Sequence, residues 1–205
     1  MKRDKLNRLV KISLLSVIGF ILMFIEVAIP IFPSFLQMDI SDLPALIGSF
    51  ALGPSAGVAI ELVKNILHGV FDGKTAFIGE LANFLVGSVL VFTAGYIYKM
   101  KKSKKTAVYG LISGSLLMTI AASILNYVIF LPLYEKVLNF PISAIIAMTS
   151  KINPAVTDLN GVIVWAIAPF NLIKGVILLV LTMVVYKSVS PILHDESTKE
   201  LVKNN

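Results

Sequence analysis

Five apolar stretches, residues 12–32, 43–67, 77–98, 106–131 and 161–186, take up more than half of this 205-residue chain. Each is long enough for a helix of about 20 residues to cross some 30 Å of hydrocarbon. Composition agrees: 57% of residues are hydrophobic and only 15% charged, against about 25% charged in a soluble domain. The chain reads as an all-α, polytopic membrane protein. A retained first helix fits residues 12–32 better than a cleaved signal peptide, whose apolar region is about 7 to 15 residues.

Charge placement fixes the number of crossings. Five Lys and Arg precede Ile12, five more fall in residues 99–105, and three follow Tyr186. Cytoplasmic loops carry the excess of such residues. Five crossings would put the first and second blocks on opposite sides, so one further crossing is expected before Phe77. The stretch Leu52-Gly53-Pro54-Ser55-Ala56-Gly57 supplies it, because proline flanked by glycines ends or kinks a helix. Splitting there gives two short helices, near 43–52 and 56–70. The expectation is therefore six transmembrane helices, two of them short, with both termini cytoplasmic. Residues 1–188 form a single integral membrane domain and 189–205 a loose, cytoplasmic polar tail.

Thirteen of the 18 cations then lie inside, and this grouping in short blocks speaks for topology rather than nucleic-acid binding. The absence of cysteine removes disulfides, thiolate metal sites and thiol nucleophiles. No Walker loop, His-Glu-x-x-His helix or Gly-x-Ser-x-Gly elbow is present. His68 and His194 fall on opposite sides of the membrane, so no metal or catalytic site is expected. The chain is read as a non-enzyme that cannot hydrolyse ATP alone.

Polar groups inside spans are costly and therefore informative. Asn171 and Lys174 share a helical face near the outer end of the last span. Asn126 lies close to the outer end of the span before it, and Glu80 and Asn83 open the span of residues 77–98 at the same level. Such amides also serve as packing glue between helices, worth about 0.6 kcal/mol on average, and lysine near a helix end can snorkel. Glu61 and Lys64 read as an internal pair and Glu26 as a loop-anchoring carboxylate. The outer loop of residues 33–42 is too apolar for a solvated connector. Met38 and Asp39 are free there to face a ligand, while Asp42 before Leu43-Pro44 reads as a helix N-cap.

The ordered set Asp39-Ile40-Ser41-Asp42-Leu43-Pro44-Ala45-Leu46-Ile47-Gly48, Leu52-Gly53-Pro54, Gly79-Glu80-Leu81-Ala82-Asn83-Phe84, Asn126-Tyr127, Ile152-Asn153-Pro154-Ala155-Val156-Thr157-Asp158-Leu159 and Pro169-Phe170-Asn171-Leu172-Ile173-Lys174-Gly175 resembles the riboflavin-specific S components of energy-coupling factor transporters. The likeness runs from about residue 11 to 188. It implies a multi-pass protein of the cell membrane that captures riboflavin from outside and needs no cofactor of its own. It also implies a transmembrane coupling subunit, the T component, and two cytoplasmic ATPase subunits as partners. The family's ligand contacts fall on Asn126, Asn171 and Lys174, with Met38 and Asp39 in a closing loop and Asn83 as a weaker transfer. The first helix departs from the family's Ala-x-x-x-Ala docking surface, offering only Ser16 and Gly19 as small residues, and with Ser13 these serve internal packing equally well. An S component for another small vitamin or precursor, or a non-transport membrane assembly protein whose amides only glue helices, are the alternatives.

Overall fold

A computed structural model describes the backbone of residues 2–203 and the side chains of residues 4–185. Its element order is α1 (Lys2–Met23), β1 (Val27–Ala28), β2 (Gln37–Met38), α2 (Asp42–Leu52), α3 (Pro54–Phe71), α4 (Ile78–Met100), α5 (Lys104–Leu125), a π turn (Asn126–Phe130), α6 (Leu131–Leu138), α7 (Ile142–Ser150), α8 (Leu159–Val162), a second π turn (Ile163–Ile167) and α9 (Ala168–Lys203). Four continuous helical stretches are long and apolar enough to cross a membrane: Asp4–Met23, Ile78–Met100, Lys104–Leu138 and Leu159–Val185. Among the described residues the chain is helical apart from one two-residue antiparallel pairing, and its four long apolar helices are those expected of an integral membrane protein.

The break expected at Gly53-Pro54 separates α2 from α3. Gly53 has φ 98°, a left-handed value that glycine adopts without strain, and Pro54 opens α3, where its missing N–H costs nothing. Arg8 of α1 closes over this corner, donating to the Leu52 carbonyl at 3.3 Å and to Ser55 Oγ at 3.4 Å. The 11 residues of α2 span only about 16 Å. They are tolerated because α2 is enclosed by α1, α3, α4 and α9, with Ala45, Leu46 and Phe50 in the main core beside Ile60, Leu90, Leu111 and Leu178.

Three boundaries differ from the sequence expectation. The first helix ends at Met23 rather than Phe32. Ile29 precedes Pro30 and is biased away from the helical region, and Val27 and Ala28 instead pair with Met38 and Gln37, folding residues 24–41 into a flap. Pro132 does not end the fourth apolar stretch. It lies in the first turn of α6 just after the π turn, where the lost N–H is tolerated, and the helical course continues to Leu138. Finally, α9 runs on to Lys203, so the backbone of the tail expected to be loose is helical, while its side chains, including that of His194, lie outside the described residues.

A candidate ligand cavity beneath the flap

A cavity of about 520 Å³ lies between the flap and the ends of the helices beneath it. Its volume falls in the range of small-molecule sites, roughly 300 to 1,000 Å³. The flap contributes Ser34, Phe35, Leu36, Gln37 and Asp39; α4 contributes Gly79, Glu80, Ala82, Asn83 and Val86; the α5 side contributes Ala122 and Asn126; and the last helix contributes Ile167, Phe170, Asn171 and Lys174. Tyr134 of α6, Phe140 of the α6–α7 connection and Ile145 of α7 add to the wall. With Met23, Glu26, His68, Asp72, Lys74, Thr75 and Leu131 completing it, the lining is shared between polar and apolar side chains.

Of the six residues singled out from sequence, five line this cavity: Asp39, Asn83, Asn126, Asn171 and Lys174. Met38 does not. Strand pairing alternates side chains across a strand, so with Asp39 turned to the cavity Met38 is buried against Phe32 and Phe170 instead. The Phe32 and Phe170 rings meet edge to face at 5.4 Å. Met38 therefore holds the flap down on α9.

Both amides sit at helix irregularities. Asn126 begins the first π turn, and Asn171 follows the second by four residues. Each donates one N–H to the carbonyl a turn earlier, Asn126 to Ala122 and Asn171 to Ile167, both at 2.8 Å. A carboxamide has two N–H groups and a carbonyl oxygen, so each keeps one donor and one acceptor for a ligand. Single π turns inside α-helices are frequent at functional sites.

Lys174 is deeply buried, with 8% of its surface exposed. Its Nζ lies 3.1 Å from Asp39 Oδ2 and 2.9 Å from Asp42 Oδ2. Asp42 also pairs with Lys64 of α3, whose Nζ donates to Ser41 Oγ at 2.8 Å and lies 2.9 Å from Glu61 Oε2. Burial pushes the Asp39 carboxyl up, but the ammonium groups of Lys174 and Lys64 and the Ser41 hydrogen bond together outweigh it, holding it below its ordinary value. Asp42 is thus not a capping residue: the N-cap position of α2 is Ser41, without a side-chain capping bond, and the Asp42 carboxylate is spent on two ammonium groups. The expected Glu61–Lys64 pair is present, as part of this larger cluster.

Gly19 of α1 lies against the cluster, where an added Cβ would stand 3.2 Å from Lys64 Cδ and 3.2 Å from the Ser41 carbonyl. Ser16 and Gly19 are buried while Ser13 is exposed, so the two small residues of α1 serve internal packing.

A second polar group on the cavity wall was not singled out by sequence. Glu80 accepts from Thr75 Oγ1 at 2.6 Å and lies 3.0 Å from His68 Nδ1. It joins the end of α3 to the start of α4. Glu80 was noticed only as one of several polar groups at this depth, and His68, 12 positions earlier, gave no periodic signal connecting the two. Glu26 also lines the cavity, from the flap. Among the described residues no group of His, Cys, Asp and Glu is arranged to hold a metal ion.

Comparison with known proteins places this architecture. Residues 7–186 match the family model described as ECF transporter, substrate-specific component. The chain is 41% identical over 190 residues to a protein of Staphylococcus aureus named riboflavin transporter RibU, covering 90% of this chain and 94% of that one. It is 35% identical over 191 residues to riboflavin transporter FmnP of Bacillus subtilis, with 91% and 94% covered. Among solved structures, the S component of a bacterial ECF transporter superposes with a TM-score of 0.73 at 38% identity, covering 92% of this chain and 98% of that one. These relatives are transport components rather than enzymes. With a family match across nearly all of its helical bundle, the chain belongs to the substrate-specific components of ECF transporters.

Proposed function

We propose that the chain is the riboflavin-capture subunit of an ECF transporter and that the cavity beneath the flap is its binding site. The observation that carries this reading is the meeting of Asn126 and Asn171, each with an unspent donor and acceptor, at one cavity of mixed apolar and polar lining, in a chain whose relatives are named riboflavin transporters. The isoalloxazine ring is broad, flat and apolar, and one edge alternates carbonyl acceptors with an N–H donor. A carboxamide presents both complements in one group. Phe35, Leu36 and Ile167 offer the ring apolar walls. Asn83, Asp39 and the remaining N–H of Lys174 face the ligand's polar atoms, while Met38 acts indirectly by seating the flap.

In this reading the helices make six crossings: α1, α2, α3, α4, α5 with α6, and α8 with α9. Both termini and the lysine-rich connection between α4 and α5 face the cytoplasm, and the cavity opens outward. Residues 1–188 form one membrane domain in the cell membrane and 189–205 a cytoplasmic tail. Energy comes from a transmembrane T component and two cytoplasmic ATPases.

The test is direct. Protein purified in detergent is expected to carry yellow flavin, and titration after its removal to quench flavin fluorescence with submicromolar affinity. Affinity weaker than about 1 μM, or about −8.2 kcal/mol, counts against riboflavin and favours another small vitamin in the same cavity.

A further inference from the structure

The cluster below the flap holds three carboxylates, Asp39, Asp42 and Glu61, against two ammonium groups, Lys64 and Lys174. All five are buried, and Glu61 and Lys64 have no exposed surface. The pairing leaves one carboxyl over. Lys174 lies within 3.1 Å of both aspartates, and Lys64 donates hydrogen bonds to Asp42 and Ser41. These four charges balance. Glu61 has only the 2.9 Å approach of Lys64, and neither of its oxygens accepts a hydrogen bond.

The surroundings offer Glu61 no other compensation. The flap faces the cluster with Asp39, α2 with Asp42, α3 with Lys64 and α9 with Lys174; α1 and α4 approach it with Gly19 and Gly87, which carry no charge. An isolated anion in such a place is far more costly than a neutral acid, and a group so placed ordinarily neutralises itself. An added Cβ at Gly87 would stand 2.8 Å from Glu61 Oε2, so α4 seals this side.

We infer that Glu61 is a proton-binding site, a carboxyl that stays protonated at neutral pH because the rest of its cluster is already electrically balanced. The proton is held inside the same network that ties the flap, through Asp39, Ser41 and Asp42, to α3 and α9. An ionised Glu61 would compete with Asp42 for Lys64 and so weaken the anchoring of the residues that begin α2. Glu61 thus carries a proton that the flap's closed arrangement requires. This inference is independent of which ligand fills the cavity.

Infrared spectroscopy of the full chain in lipid nanodiscs at neutral pH tests it. The expected result is a carbonyl-stretch band of a protonated carboxylic acid that shifts on carbon-13 labelling of glutamate and disappears in Glu61→Gln. An ionised carboxylate, bare or neutralised by a metal cation, gives no such band, and its absence overturns the inference. So does a band that survives in Glu61→Gln or that responds only to labelled aspartate. Should Glu61→Gln fail to fold, Glu61→Asp replaces it: the band must then pass from glutamate labelling to aspartate labelling, and a band that stays with glutamate overturns the assignment.

Discussion

Lys174 and Asp39 lie 135 positions apart in the chain and 3.1 Å apart in space, so the last helix and the first outer segment are joined by a buried ion pair at the cavity wall. The pairing bears on how a neutral ligand is bound beside a lysine. Asp39 and Asp42 compensate the ammonium before any ligand arrives, leaving Lys174 to act as a hydrogen-bond donor without presenting an unbalanced charge.

Asn171→Leu and Asn126→Leu should each weaken flavin affinity by about tenfold or more, since an unpaired buried polar group costs on the order of 1 to 3 kcal/mol. Thermal unfolding should barely change, because among the described residues each amide donates its hydrogen bond to its own helix. Fluorescence quenching titrations check the first statement and melting curves the second; unchanged affinity in both variants would reject the site.

Lys174→Met should do more harm to stability than either amide change. Removing one partner of a buried ion pair costs about 3 to 5 kcal/mol, and here Asp39 loses its counter-charge while Asp42 keeps only Lys64. A lower Tm is expected, with part of the loss recovered in Lys174→Met combined with Asp39→Asn, since residues in one network are not additive. A double variant no more stable than the single one would deny the coupling.

Gly87→Ala should destabilise the protein by about 1 to 3 kcal/mol, the usual cost of overpacking. The new methyl would stand 2.8 Å from Glu61 Oε2 and 3.3 Å from Asp42 Oδ1, and both belong to a network with no free space. A wild-type melting temperature would show that α4 yields more easily than this packing allows.

The pH response of the flap follows from Asp39. Its carboxyl is held below the ordinary value of 3.8. A group with a depressed folded-state pKa contributes stability that is fully present above its unfolded value and is lost as pH falls through the folded value. Flavin affinity should therefore stay level from neutral pH down to the ordinary carboxylate range and fall only below it. Titrations across this range check the point, and a decline beginning well above it would assign the response to another group.

Because the chain has no cysteine, single introduced cysteines report topology without background. A membrane-impermeant thiol reagent applied to intact cells should label Lys136→Cys and spare Lys102→Cys. The reverse pattern would invert the orientation.

Local chemistry decided what the sequence made legible. The α2–α3 corner was readable because proline and glycine act on their own dihedrals. Helix periodicity put Asn171 and Lys174 on one face, and both line the cavity. What escaped depended on distant partners. Asp42 has the sequence context of an N-cap, and only the arrival of Lys64 and Lys174 from two other helices turns its carboxylate to another use. The flap's strand pairing needs residues nine and eleven positions apart to meet, and a two-residue strand leaves no alternation to read. Met38 was misdirected for the same reason, since its facing depends on that pairing. The π turns have no composition of their own, so the exact aim of Asn126 and Asn171 was out of reach.

Those two wide turns carry a consequence for how such a scaffold varies. Each takes up one more residue than a normal turn while the helical course goes on, so the residues beyond it are advanced in phase relative to those before it. The inner halves of these helices keep their contacts in the common core, and the outer halves are rotated independently. A bundle with that property can re-aim the side chains around its vestibule without disturbing its foundation.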